Sequence, residues 1–258
     1  MTTAATLTIG DELLIGQVAD TNSAALSRAL GALGIRVVRM CTVGDEAADI
    51  TDALAALLAQ VDVVVATGGL GPTKDDKTKG VLARFFGAEK MALHEPTLRH
   101  VEALAAARGM AMNELNVAQA YVPEGCTARP NALGTAPGLW FERGAKVVVA
   151  LPGVPFEAEH LMAQEVAPRL RERFATPSIV HRTALVFGVA ESALAERIAG
   201  WEGALPPHLH LAYLPTPLGV KLRLSTYGAA DADAAEQDML RRFEALRQLA
   251  PEHFVGVG

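Results

Sequence analysis

The chain has 258 residues, half of them apolar, with 23 Lys and Arg against 29 Asp and Glu for a net charge of −6. That length supports one large or two small cores, while the acidic balance disfavours a nucleic-acid partner, which needs a basic face. No run of about 18 apolar residues offers a membrane span, the first residues lack a leader pattern, and Cys41 and Cys126 have neither metal nor disulfide spacing. The expectation is therefore a cytoplasmic protein with inert thiols.

The first part alternates strand and helix. Residues 5–9 read as a short strand. Asp20-Thr21-Asn22-Ser23 supplies capping residues for a helix with Leu26, Leu30 and Leu33 on one face. Residues 35–43 read as a second strand. Ile50, Leu54, Leu57 and Leu58 mark a second helix, and 61–67 is an apolar third strand. Repeated strand–helix–strand units predict a parallel sheet with helices on both faces. Beyond it, 80–86, 95–108 and 113–122 read as helices, the last leading into a short strand. Residues 123–138 read as a Gly/Pro/Asn-rich loop, 146–151 as a strand and 156–174 as one long helix. Composition shifts at Ala175-Thr176-Pro177-Ser178, a linker pattern. Past it, strands at 179–189, 209–214 and 219–227 alternate with helices at 191–200 and 229–249. The division is a three-layer α/β domain over 1–174 and a small α+β domain over 178–258.

The densest chemistry lies between the third strand and the helix after it, in Thr67-Gly68-Gly69-Leu70-Gly71-Pro72-Thr73-Lys74-Asp75-Asp76-Lys77-Thr78. A glycine-rich turn from a strand end into a helix is where open α/β sheets bind ligands. Gly68, Gly69 and Gly71 put no side chain between backbone N–H groups and an anion. Asp75 and Asp76 add hard oxygen donors suited to a divalent metal. The plain alternative is a turn with capping carboxylates, and the loop is neither a Walker A loop nor a dinucleotide fingerprint. Four further segments fall at strand ends or in loops and can converge there: Gly10-Asp11-Glu12, Gly44-Asp45-Glu46, Gly134-Thr135-Ala136-Pro137-Gly138 and Leu151-Pro152-Gly153-Val154-Pro155-Phe156-Glu157.

These segments resemble the competence/damage-inducible protein A (CinA) family. The resemblance starts with Ile9-Gly10-Asp11-Glu12-Leu13-Leu14, Gly16-Gln17 and Asp20-Thr21-Asn22. It continues through Val43-Gly44-Asp45, the glycine loop, Asn116-x-x-Gln119-Ala120 and Gly134 to Gly138, and ends at Glu157. It implies a molybdopterin-binding (MogA/gephyrin-like) fold followed by a KH-like domain. In the CinA branch it also implies divalent-metal-dependent ADP-ribose pyrophosphatase activity with Mg, Mn or Co. Full-length relatives continue into a nicotinamide mononucleotide deamidase domain, which would begin where this sequence ends, so deamidation is not expected of this chain. The alternative is a molybdopterin-binding module without hydrolysis, since Asp45 and Asp76 match the acidic positions of the inserting relatives.

On the hydrolase reading, Asp76, Asp45 and Glu12 are catalytic, and Asp11, Asp45 and Asp76 are metal ligands. Gly10, Asn22, Thr67, Gly68, Gly69, Gly71, Pro72, Thr73, Thr78, Gly134, Thr135, Pro152 and Gly153 bind substrate or phosphate. Asp75 is expected to cap the following helix through the N–H of Lys77 or Thr78, leaving Asp76 to the site. The partner is a small nucleotide, with no membrane. Gly200-Trp201-Glu202-Gly203 formally fits the Gly-x-x-Gly of KH domains, but it reads better as a helix end anchored by its Trp. Related proteins are oligomeric, and the Ala-rich helix 95–108 offers a packing face, so a homodimer is expected.

Overall fold

The computed structural model describes residues 1–73 and 75–258; Lys74 lies outside the described residues. The chain divides into two compact units, one holding 2–175 and the other 176–258 with Met1.

The larger unit opens with β1 (Thr3–Ile9), a short α1 (Asp11–Leu14), α2 (Thr21–Ala32), β2 (Arg36–Val43), α3 (Ala47–Gln60), β3 (Val63–Thr67) and α4 (Thr78–Phe86). Then come β4 (Met91–Leu93), α5 (Glu95–Ala107), α6 (Glu114–Gln119), β5 (Tyr121–Pro123), β6 (Thr127–Arg129), β7 (Gly138–Arg143) and β8 (Lys146–Leu151). The unit closes with α7 (Pro155–Leu161), a π-helical turn (Met162–Val166) and α8 (Ala167–Arg173). The main sheet runs β2-β1-β3-β8-β7-β6. Its first four strands are parallel, and β7 and β6 join antiparallel at one edge.

The strand sequences explain why both faces are covered. Alternate residues of β3 and β8 face opposite ways. Val64, Ala66, Val148 and Ala150 join Leu54 and Leu82 in one core, whereas Val63, Val65, Val147, Val149 and Leu151 join Leu26, Leu30 and Leu161 in the other. Strands buried on both faces are apolar at nearly every position rather than at every second one.

The structure corrects three readings. The helix expected over 113–122 stops at Gln119, and Tyr121–Pro123 form β5. Residues 123–138 are not loop throughout, because β6 lies within them, and β7 adds a further strand. The helix expected over 156–174 is interrupted: the Ala167 N–H bonds the Met162 carbonyl, five residues back. Pro168 has no N–H, and its ring crowds the carbonyl four residues before it. The wider turn removes that clash.

The parallel strands end flush. Ile9 pairs with Val43, Thr8 with Thr67, and Thr67 with Leu151. The chain passes from β1 outward to β2 and then back across β1 to β3, so the carboxyl ends of β1 and β3 form a topological switch point, the crevice where such sheets take ligands.

The smaller unit holds β9 (Ser178–Phe187), α9 (Glu191–Gly203), β10 (His210–Thr216), β11 (Gly219–Ala229), α10 (Ala232–Leu249) and β12 (Phe254–Val257). It forms an antiparallel sheet in the order β10-β11-β9-β12. Leu222, Leu224, Ile198, Met239 and Phe243 fill its core. Gly200 and Gly203 lie in the last turn of α9 rather than in an exposed loop. Trp201 holds that turn by donating Nε1–H to the Arg242 carbonyl at 3.0 Å. Among the described residues, no helix is long and apolar enough to cross a membrane.

Candidate functional site

A cavity of about 490 Å³ opens at the switch point, within the usual size range of small-molecule sites. Its floor is held by a buried polar relay. The Thr67 hydroxyl donates to the Pro152 carbonyl at 2.8 Å, so it must accept from Asn22 Nδ2 at 3.1 Å. The second Nδ2 proton goes to the Gly153 carbonyl at 2.8 Å. The relay ties α2, β3 and the turn after β8 into one frame. Gly68 continues β3 with a φ of +108°, and a Cβ there would lie 2.1 Å from the Ile9 carbonyl oxygen, so only glycine lets the loop pass the end of β1.

Asp20 frames the same wall. It caps α2 by accepting the Ser23 N–H at 2.9 Å and also accepts the Thr8 hydroxyl at 2.7 Å. Burial by itself raises its carboxyl, but the Ser23 side chain and backbone and the Thr8 hydroxyl outweigh that and hold it below the ordinary carboxylate value.

The glycine loop is organised from within. Asp76 Oδ1 accepts the Gly71 N–H at 2.9 Å, while Oδ2 accepts the Thr73 N–H at 3.0 Å and the Thr73 hydroxyl. The Gly68 N–H is likewise committed, to the Leu151 carbonyl at 3.1 Å. Of the four N–H groups expected to face a phosphate, those of Gly69 and Leu70 have no acceptor among the described residues. Asp75 does not cap α4. That helix has Lys77 at its N-cap with no side-chain cap bond. The Thr78 N–H turns back to the Gly69 carbonyl and the Lys77 N–H to the Asp75 carbonyl, so the two donors assigned to the Asp75 side chain are taken by backbone.

Across the opening, Asp11 and Asp45 brace each other. The Asp11 N–H donates to Asp45 Oδ2 at 3.0 Å, and the Asp45 N–H to Asp11 Oδ1 at 3.2 Å. Of the residues expected at the site, Gly10, Glu12, Asn22, Asp45, Thr67, Gly68, Gly69, Gly71, Pro72, Asp76, Thr135, Pro152 and Gly153 line the cavity. Asp11, Thr73, Thr78 and Gly134 are not among its lining residues. Asp20 and Glu157 also line it and were not singled out as site residues. Both lie in segments that carry the resemblance, Asp20 reading as a helix cap, but the sequence assigns neither a role at the site.

The cavity's charge is one-sided. Glu12, Asp20, Asp45, Asp75, Asp76 and Glu157 line it, and no Lys, Arg or His does among the described residues. Nor does any group of three or more His, Cys, Asp or Glu there form a ready-made metal cage. The donors present still suit a hard cation. Mg²⁺-type ions are commonly held by one or two carboxylates, with water and substrate phosphate completing the shell, and Asp45 and Asp76 line the cavity. Behind the loop, burial pushes Lys79 down to about 8 and Cys126 up to about 11, which keeps that thiol protonated and unreactive.

Residues 5–172 match the family model described as a probable molybdopterin binding domain, and residues 181–256 match the damage-inducible protein CinA KH domain. The fold and its cavity thus define a molybdopterin-binding-type α/β domain followed by a KH-type unit. Over 254 residues the chain is 41% identical to a CinA-like protein of Flavobacterium psychrophilum, covering 98% of this chain and 60% of that protein. It is 46% identical over 222 residues to a CinA-like protein of Cytophaga hutchinsonii, covering 86% and 53%. A crystal structure of CinA from Thermoplasma acidophilum, a protein of unknown function, matches at 33% identity and a TM-score of 0.59, covering 67% of this chain and 98% of that one. The chain belongs to the CinA family. It spans 60% or less of the length of those two curated relatives.

Proposed function

We propose that this chain hydrolyses the pyrophosphate of ADP-ribose, with water, to AMP and ribose 5-phosphate, assisted by Mg²⁺, Mn²⁺ or Co²⁺. The observation that carries the reading is the cavity's combination of unpaired backbone donors and a lining whose charged side chains are all acidic among the described residues. Gly69 and Leu70 N–H groups suit phosphate oxygens, yet carboxylates surround them without a lysine or arginine among the described residues. A pyrophosphate entering alone would meet like charge in the lining itself. It enters favourably only with cations, and in this reading Asp45 and Asp76, both lining the cavity, share one. When bound, the cation would neutralise phosphate charge and polarise a phosphoryl oxygen. Glu12 is the general base in this scheme. Asp11, turned toward the Asp45 backbone, orients Asp45 rather than holding the metal itself. A cytoplasmic location and a homodimer belong to the same reading. For the dimer, α5 has only its outward face to offer, because Thr97, Val101 and Ala105 are buried within their own unit.

The second reading is a molybdopterin-binding module without hydrolysis, favoured by the description of the family model matching 5–172. Incubation with ADP-ribose and each metal, with products resolved by chromatography, separates the two. AMP and ribose 5-phosphate in equal amounts support the hydrolase. Tight molybdopterin binding with no ADP-ribose turnover in any metal supports the module.

A further inference from the structure

The Pro152 side of the cavity carries two acceptors that phosphate cannot satisfy. Asn22 is nine-tenths buried and lines the cavity. Its amide orientation is fixed: Thr67 has spent its only proton on the Pro152 carbonyl, and the Gly153 carbonyl has none, so both must face Nδ2. Its remaining function is Oδ1, a buried acceptor with no partner. With both Nδ2 protons spent, the Asn22 side chain has no donor left for a phosphate oxygen; its open acceptor calls for a hydrogen-bond donor, a ligand hydroxyl or a water.

Four residues past Gly153 stands the second acceptor, Glu157. Asn131, itself buried, holds it. One Nδ2 proton goes to Glu157 Oε2 at 2.7 Å and the other to the Ala136 carbonyl at 2.9 Å. Asn131 Oδ1 accepts the N–H groups of Leu133 and Gly134 at 3.1 and 3.2 Å. Every hydrogen-bonding position of the Asn131 side chain is therefore used in fastening the 131–136 loop to the Glu157 carboxylate. The carboxylate packs so closely on Gly134 that a Cβ there would lie 2.1 Å from Oε2. Glu157 lines the cavity with no Lys or Arg paired to it among the described residues. The loop thus holds a charged acceptor, already supplied with one donor, at the cavity wall.

We propose that Asn22 and Glu157 form the sugar-reading edge of the cavity, accepting hydrogen bonds from the vicinal hydroxyls of a ribosyl unit in the nucleotide. This rests on the ADP-ribose reading for the identity of the ligand. A vicinal diol presents two adjacent donors, and an acidic side chain serves ribose hydroxyls in the same way in dinucleotide-binding folds.

The test uses a non-hydrolysable ADP-ribose with a methylene-bridged pyrophosphate, titrated with Mn²⁺ into wild type and Glu157→Gln by calorimetry. Two further analogues lack the diol of one ribosyl unit or the other. In wild type, removing one of the two diols should weaken binding roughly ten- to a hundredfold, the range of a hydrogen bond to a charged group. Glu157→Gln, which can keep Asn131 only by turning its NH₂ to the ligand, should lose a similar factor on the parent analogue and ignore removal of that same diol. An unchanged diol preference in Glu157→Gln overturns the proposal, as does its dependence instead on the adenine amino group in an inosine analogue. If Glu157→Gln fails to melt cooperatively, Glu157→Asp is the reporter, its retracted carboxylate expected to lose the same preference. Tight binding with diol discrimination but no turnover of ADP-ribose would leave the sugar edge standing and remove the hydrolase. No binding of any analogue by wild type would remove both.

Discussion

Asp76 shows how one residue combines structure and chemistry. Both of its oxygens take hydrogen bonds from Gly71 and Thr73, so it shapes the loop it is proposed to serve. Asp76→Asn keeps one acceptor and loses the charge. The expected outcome is loss of metal-dependent turnover by more than a hundredfold, with stability falling by about 1 kcal/mol or less, because the loop bonds lie toward solvent; steady-state kinetics and a urea titration read the two effects separately. Asp20 makes the opposite case. It caps α2 and holds Thr8, so Asp20→Ala should cost about 1–2 kcal/mol of stability. Its folded-state carboxyl lies below the ordinary 3.8. Its stabilising share is therefore fully present above that value and disappears as pH falls through the lower folded one. Wild-type stability should drop more steeply than that of Asp20→Ala below pH 3.8, measured by urea unfolding across pH.

At the scale of elements, α4 carries a buried cost. Among the described residues, Lys79 Nζ donates to the Ala118 and Gln119 carbonyls, at 3.4 and 3.3 Å. Burial lowers it from 10.5 to about 8. A lysine lowered on folding binds fewer protons in the folded state between those two values, so stability should rise as pH climbs from about 8 to 10.5. Lys79→Met should flatten that rise and melt higher at pH 7; calorimetric scans across pH test both. The parallel core strands were legible because a both-faces-buried strand leaves an unmistakable apolar run, as in Val63-Val64-Val65-Ala66. The β7–β8 hairpin was missed although its turn is a plain signal: Arg143 pairs with Lys146 across Gly144-Ala145, with Gly144 at a φ of +62°. Three-residue β6 leaves no periodicity to read. In the site, strand-end glycines and acids declared themselves by spacing, but hydrogen-bond direction did not. That Asp75 leaves α4 uncapped, that Asn22 has spent both protons, and that Asn131 holds Glu157 are facts of three-dimensional pairing.

At the scale of the molecule, the larger unit by itself holds the described lining of the cavity. The larger unit has two cores of its own, one on each face of its sheet. Residues 1–175 expressed alone should unfold in a single cooperative transition and keep kcat for ADP-ribose within about threefold of the full chain, a difference under 1 kcal/mol. A much larger loss would assign the smaller unit a part in catalysis. The central claim is that carboxylates at one sheet edge recruit a cation to cleave a pyrophosphate, and its most direct test is AMP release from ADP-ribose at increasing Mn²⁺ in wild type and Asp45→Asn. The account predicts no turnover with chelator, saturable activation by Mn²⁺ in wild type, and a shift of that activation in Asp45→Asn to at least tenfold higher metal, the loss of one charged ligand contact. Turnover that survives chelation, or identical metal curves for the two proteins, would contradict it.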